Sequence, residues 1–417
     1  MSKLRVLAWG DAPLANTGFG TVSKHVLSAL HATGKYEIDH LAINYTGDFI
    51  DKNLVPWQLV PAKLLDAKDP HGIKMFQKAM LQKDYDIIWI INDLFVTNEV
   101  KDFIPKIRAH YKSKKIKPPV FIYYYPVDCS VPNGSTGLLD QVDIPVCYTV
   151  HGMEETLKTR PQLANKLRKI SHGTDLSTFK PLSESEIKQL KKDFLGVSPD
   201  TTVVVQVNRN STRKQIQYSM LAFKEFQKLV PNSVYYIHSQ VADQGGNLLH
   251  AIHSLDLSPQ KDIILPLGFR VENAPPPSEL NKIYNMGDIF LSTHLGEGWG
   301  LSLSEAMSCG VPVVTGRNTC MTELFGEDSK RGYLYPCEDW AYIDGSGYRK
   351  KGLIPDIVTQ MMQAYNDGPK QNNPKVKQGL EFVKSITWDK VGKQWIELFE
   401  LATSVRNNSK LQIGDIL

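Results

Sequence analysis

The feature that most constrains this chain is an alternation kept up from end to end: short runs of β-branched and apolar residues separated by amphipathic stretches of helical period. That is the sequence form of parallel sheets covered on both faces by helices. In the first half the pattern predicts strands at residues 5–9, 38–42, 87–91, 120–124 and 146–149, with helices beginning near Thr21, Pro70, Glu99 and Glu154. It then starts afresh, with strands at 203–207, 234–238, 263–265, 289–291 and 313–314 and a helix over 278–286. The expected fold class is therefore α/β, two doubly wound parallel-sheet domains in succession.

Length agrees with two lobes, because 417 residues exceed what one hydrophobic core organises. The boundary is expected after His172-Gly173-Thr174-Asp175, where the chain leads into the charged, helix-prone segment 184–194. This gives domains at 1–178 and 179–385, a closing segment at 386–405 and a polar tail at 406–417. Lys plus Arg number 48 against 44 Asp plus Glu, a net charge of +4. Spread that thinly, it leaves no footprint for duplex nucleic acid but does leave anionic small molecules. Five well-separated cysteines, an odd number, point to reduced thiols. The apolar runs are strand-length, far from the roughly 20 residues of a membrane span, and the run after Met1-Ser2-Lys3-Leu4-Arg5 is too brief for a secretory core. The expected localisation is cytoplasmic.

The most informative stretch is Glu297-Gly298-Trp299-Gly300-Leu301-Ser302-Leu303-Ser304-Glu305, which follows the strand at 289–291. Gly298 and Gly300 let backbone amides approach a ligand, and the free N–H groups of the ensuing helical turn favour an anion such as phosphate. Glu305, eight residues after Glu297 and about two helical turns further, reaches toward the polyol part of such a ligand, since a carboxylate accepts paired hydroxyls well. Taken singly, each acid is better explained as a dipole complement or a solvated helical residue. Their combination with the glycines and the preceding strand favours a site.

A second loop, Asn208-Arg209-Asn210-Ser211-Thr212-Arg213-Lys214, follows the strand at 203–207. Arg209 offers a fork of donors and Lys214 a point charge. Both suit a diphosphate that departs with negative charge. Ligands of wound sheets sit beyond the carboxyl ends of strands, where this loop lies.

The stretch from Glu297 to Glu305 resembles the Glu-x7-Glu signature of retaining, nucleotide-sugar-dependent glycosyltransferases of GT-B fold, family four (glycosyl transferases group 1), including virus- or phage-encoded members. The resemblance covers most of the chain. It implies two Rossmann-like domains facing each other across a cleft: an acceptor-side domain at 1–178, a nucleotide-sugar-binding domain at 179–385, and a closing helix at 386–405 that returns to the first. It also implies that Glu305 holds the ribose, that Glu297 contacts the donor sugar, and that the backbone of Trp299, Gly300 and Leu301 holds diphosphate and sugar. Arg209 and Lys214 match the family's Arg-x4-Lys pair, which leaves Arg213 a lesser helper. The loop 16–23 resembles the family's glycine-rich loop, which would put Gly18 and Gly20 beside the donor phosphate. It is no nicotinamide fingerprint, because its glycines fall well past the strand and Ser23 replaces the third.

Many family members carry a histidine near residues 123–128; here the ionisable candidate is Asp128, which could orient the acceptor hydroxyl or act only as a turn residue after Pro126. Phe269 could meet the nucleobase, with core packing the stronger reading. Asp84-Tyr85-Asp86 imitates a metal-binding pair but precedes its strand, away from the ligand side, so no metal and no cofactor are expected.

The sequence thus points to a hexosyltransferase using a nucleotide diphosphate sugar and an acceptor hydroxyl on a glycan, lipid, protein or small molecule, with peripheral membrane contact compatible. Two alternatives stay open: a glycosyltransferase acting on hydroxymethylated bases in DNA, the one way nucleic acid would enter, and a non-catalytic sugar-nucleotide-binding protein.

Overall fold

In a computed structural model, residues 3–131, 133–270, 274–342 and 348–408 are described. They divide into two compact units. Unit 1 comprises residues 1–127, 131–173 and 388–417; unit 2 comprises 174–387 together with the three residues Asp128–Ser130. The division falls at Gly173/Thr174 and Thr387/Trp388, against expected borders at 178/179 and 385/386. Of the expected tail, residues 409–417 lie outside the described residues.

Unit 1 is built on seven parallel strands: β1 (Leu4–Asp11), β2 (Tyr36–Ile43), β3 (Gln58–Pro61), β4 (Ile87–Ile91), β5 (Val120–Tyr125), β6 (Ile144–Cys147) and β7 (Arg168–Lys169), in the order β3-β2-β1-β4-β5-β6-β7. The central strands are buried along their whole length, Ile-Ile-Trp-Ile-Ile in β4 and Val-Phe-Ile-Tyr-Tyr-Tyr in β5, as a sheet covered on both faces requires. Three tyrosines survive there because each hydroxyl has a partner: Tyr123 donates to Asn92 O, Tyr124 to Ile170 O, and Tyr125 bonds Thr156. The helix Trp388–Asn407 belongs to this unit, held by Trp395, fully buried, edge-on to Trp89 at 5.8 Å and to Tyr124 at 4.8 Å.

Unit 2 repeats the scheme with six parallel strands, β8 (Thr202–Val207), β9 (Ser233–His238), β12 (Ile263–Ile264), β13 (Ile289–Leu291), β14 (Val313–Gly316) and β15 (Tyr333–Tyr335), in the order β12-β9-β8-β13-β14-β15. Two hairpins decorate it: β10 (Ala242–Asp243) with β11 (Gly246–Asn247), and β16 (Asp339–Tyr342) with β17 (Tyr348–Lys351). Its first helix, Glu184–Leu195, opens on a reciprocal capping box between Ser183 and Glu186 and stops at Gly196, whose φ of 68° suits the left-handed end of a helix.

Differences from the sequence expectations have local causes. The first helix begins at Gly18 rather than near Thr21 because the Thr17 side chain accepts from Gly20 N and caps it there. The run expected as a strand at 146–149 spans Ile144–Cys147 instead, since Thr149 caps the helix Val150–Thr159. The edge strands β3, β7 and β15 have two to four residues each, too few to show a pattern. Among the described residues no helix is long and apolar enough to cross a membrane.

Candidate functional site

In both sheets the strand order reverses once, between β1 and β4 and between β8 and β13. At such a point the loops leaving two neighbouring strands diverge and open a crevice. In unit 2 these are the loop from β8 into a 3₁₀ turn at Thr212–Lys214 and the helix Ile216–Leu229, and the loop from β13 into the helix Leu301–Ser308. β8 and β13 pair directly, so residues 209–214 and 292–300 become neighbours although about 80 positions separate them.

Glu297 is the hub. Buried at 5 % exposure, it accepts hydrogen bonds from Lys214 Nζ and, at 2.9 Å, from an Arg213 guanidinium nitrogen. Burial alone would push this carboxyl up, but Lys214 and Arg213 overcome it and hold it well below the ordinary glutamate range. Burial also presses the Lys214 ammonium down from its usual value, with Glu297 opposing. Arg213 donates to Gly296 O at 2.5 Å and pairs with Asp128 at 3.0 Å. Asp128 in turn takes Arg349 of β17, through its backbone oxygen at 2.5 Å and its carboxylate at 3.1 Å. Burial opposes ionisation of Asp128 too; Arg213 and Arg349 nonetheless bring its carboxyl below the usual range.

The loop carrying Glu297 is fixed from behind. His294 Nδ1 accepts from Gly296 N–H at 3.1 Å, which leaves Nε2–H to donate to Thr315 Oγ1 at 3.0 Å. Burial lowers the His294 pKa to about 3, so the ring stays neutral and keeps these roles. Glu297 N–H donates to Thr319, and Cys320 Sγ to Glu297 O. Gly296 has no room for a side chain, since a Cβ there would strike the Asp128 carbonyl oxygen.

Gly300, at φ 91°, starts the helix Leu301–Ser308 with no side-chain cap, and Gln215, at φ 52°, starts Ile216–Leu229 likewise. Two helix N-termini thus leave first-turn amides without capping side chains at the same crevice. Because the helix begins only at Leu301, Glu305 stands one turn into it, not two. It accepts from Tyr284 OH at 2.6 Å. Burial raises its pKa to about 7, with Tyr284 opposing and Asp175 adding to the shift.

Of the other expected site residues, Gly298 and Trp299 are buried in the loop, and Leu301 opens the helix half-buried. Arg209 does not reach Glu297; its side chain is 58 % exposed and paired with Asp243 of the β10–β11 hairpin at 2.7 Å. Phe269 is not in the core but half-buried, its ring 4.6 Å from that of His238 at the end of β9. Gly18 and Gly20 lie in unit 1, inside the first turn of the helix Gly18–Ala32. A Cβ at Gly20 would crowd the Ala12 and Ala15 carbonyls, so the backbone needs this glycine for close approach. Asp84 and Asp86 precede β4, engaged by Lys114 and by Arg406. Tyr284 and Arg349 went unnoticed in the sequence; neither stands in a motif. Among the described residues no group of three or more His, Cys, Asp or Glu side chains could hold a metal ion.

Residues 187–344 match the family model described as Glycosyl transferases group 1, so unit 2 carries a domain of that kind. Over 167 residues the chain is 32 % identical to alpha-monoglucosyldiacylglycerol synthase of Acholeplasma laidlawii, covering 40 % of this chain and 39 % of that protein. Over 241 residues it is 26 % identical to UDP-Gal:alpha-D-GlcNAc-diphosphoundecaprenol alpha-1,3-galactosyltransferase of Escherichia coli, covering 56 % and 54 %. The chain thus spans about half or less of the length of these curated relatives. Among solved structures, sucrose-phosphate synthase of Thermosynechococcus elongatus superposes with a TM-score of 0.70 over 97 % of this chain and 100 % of that one, at 16 % identity. That likeness shows the fold, which is GT-B.

Proposed function

We propose that this protein is a retaining glycosyltransferase that moves a hexose from a nucleotide diphosphate sugar to an acceptor hydroxyl, without a metal. One observation carries the reading: Glu297, Lys214 and two helix N-termini without side-chain caps converge at the reversal point of the second sheet. Lys214 and the amides stabilise charge on the departing diphosphate, where preorganised donors act most strongly. Arg209 joins them from the same loop. Its exposed pair with Asp243 is worth at most about 1 kcal/mol, so a diphosphate exchanges for that carboxylate at little cost. Glu305 accepts the ribose hydroxyls, and Phe269 borders the base. Attack from the face of departure, with the donor phosphate taking the acceptor proton, gives retention without a side-chain nucleophile. One named relative is called after a glycolipid product and the other after a diphosphoundecaprenol-linked sugar, which makes a lipid or lipid-linked hydroxyl the first acceptor to try.

The test is a thermal-shift screen against UDP-, GDP- and ADP-hexoses, followed by transfer assays and NMR of the product's anomeric proton. One donor should raise the melting temperature in a concentration-dependent way and be consumed with its anomeric configuration kept. No shift and no turnover with any donor would overturn the reading; a shift without turnover would leave a binding protein.

A further inference from the structure

Resting on that reading, the structure assigns a further role to Arg349: we propose that it supplies the positive charge that lets the second unit's crevice take a diphosphate, acting through Asp128. Arg349 lies outside the segment that matches the family model, on a hairpin strand, yet only 5 % of it is exposed. Tyr348 N–H donates to Ser130 at 3.2 Å beside it, so β17 is clamped along the segment Asp128–Ser130, which belongs to the same unit.

Five side chains form one alternating chain of charge: Lys214, Glu297, Arg213, Asp128 and Arg349. Three cations stand against two carboxylates, a formal excess of one positive charge. Without Arg349 the count is two against two, and Arg213 has to serve as counter-ion of Asp128 as well as partner of Glu297. Lys214 and Arg213 are then held by carboxylates at the moment an anion arrives, and the crevice loses the field that attracts it. Arg349 thus leaves a surplus of charge for the ligand. Both terminal nitrogens of its guanidinium go to Asp128, one to the backbone oxygen and one to the carboxylate, while the buried Nε–H has no acceptor among the described residues. Arg349 is a positioning residue: it acts on the ligand through Asp128 and Arg213.

Titration calorimetry of the full chain at pH 8 with UDP, GDP and ADP, and with the matching nucleosides, tests this. Arg349→Met should weaken the preferred nucleoside diphosphate roughly tenfold, the scale of one charge removed several ångströms away in a partly screened site. The nucleoside affinity should stay unchanged. Arg349→Met with Asp128→Asn restores the excess charge and should recover most of the loss, which repair of a merely structural defect would not do. Wild-type diphosphate affinity in Arg349→Met, or a double variant no better than the single, overturns the inference. Should Arg349→Met fail to fold, Asp128→Asn alone decides: it raises the excess charge and should bind the diphosphate more tightly than wild type, and weaker binding overturns the inference. A wild-type protein that binds no nucleoside diphosphate overturns the proposed function as well.

Discussion

The two units solve the same topological problem twice and equip the solutions differently. In each, the chain leaves the first strand of a parallel sheet, turns, and enters a helix beside the point where strand order reverses. In unit 1 that turn closes on itself. Asp11, buried at the end of β1, accepts from Thr17 Oγ1 at 2.5 Å and from Asn44 at 3.3 Å, and Thr17 caps the helix through Gly20 N–H. A carboxylate sits where an anion would bind, and a side chain has taken a first-turn amide. In unit 2 the corresponding helix starts at Gln215 without a side-chain cap and is preceded by two cations, with a second such start at Gly300. One fold therefore gives a self-satisfied turn or an anion cradle, according to whether the loop carries an acid and a cap or cations and none.

The contrast can be broken at several points. The largest effect is expected from Lys214→Ala, which removes a cation paired with Glu297: turnover should fall by about 10²–10³, the usual cost of one preorganised donor to a developing anion, and the melting temperature should fall as well, because buried Glu297 keeps only Arg213 among the described residues. Steady-state kinetics with the preferred donor would show it, and normal turnover would remove Lys214 from the site. Gly296→Ala should come next. Its methyl group would meet the Asp128 carbonyl oxygen and displace the Glu297 loop, so donor affinity should drop while unit 1, probed by limited proteolysis, stays intact.

Glu305 gives a smaller, pH-dependent effect. Its carboxyl titrates at about 7 in the free protein, and ribose hydroxyls donate to the ionised form, so ligand binding should lower that value. Affinity is then full above pH 7 and weakens, by up to about tenfold per unit, as pH falls through 7. Glu305→Gln should flatten the profile, and calorimetry in buffers of different ionisation heat should detect proton release by the wild type near neutrality. The same shift acts on stability with a fixed sign. A carboxyl raised from 4.5 to about 7 by folding contributes its stability fully below pH 4.5 and loses it as pH rises through 7. Glu305→Gln should therefore be more stable than wild type at pH 8, by an amount on the order of 3 kcal/mol. The smallest effect is expected in unit 1: Asp11→Asn should leave nucleoside diphosphate affinity within about twofold of wild type. A large change there would mean that the first turn is part of the anion site after all.

Much of the architecture was legible because it is local. The strands Ile87–Ile91 and Ile289–Leu291 announce themselves by unbroken apolar runs, and the capping box at Ser183–Glu186 begins the helix where the sequence suggested. Glu297, Glu305 and Lys214 could be picked out because loop composition after a strand carries chemistry on its own. What composition could not show was that Arg213, a lesser helper beside Arg209 and Lys214 in the sequence reading, pairs with Glu297, because the 3₁₀ turn at Thr212–Lys214 brings it there. For Phe269 the sequence left contact with a nucleobase beside core packing, the stronger reading, and the fold leaves it half-buried next to His238.

What the sequence alone determined is the alternation of elements, hence two wound sheets, and the short stretches whose residue types suit phosphate and hydroxyls. Hydrophobic period and turn chemistry act within a dozen residues, and those can be read in order. The pairing of Glu297 with Arg213, of Asp128 with Arg349 and of Glu305 with Tyr284 was decided by tertiary structure. Each joins side chains that meet only after strand order and hairpin placement are set. Their charge states followed from the same event, since burial raised one glutamate and two cations lowered the other.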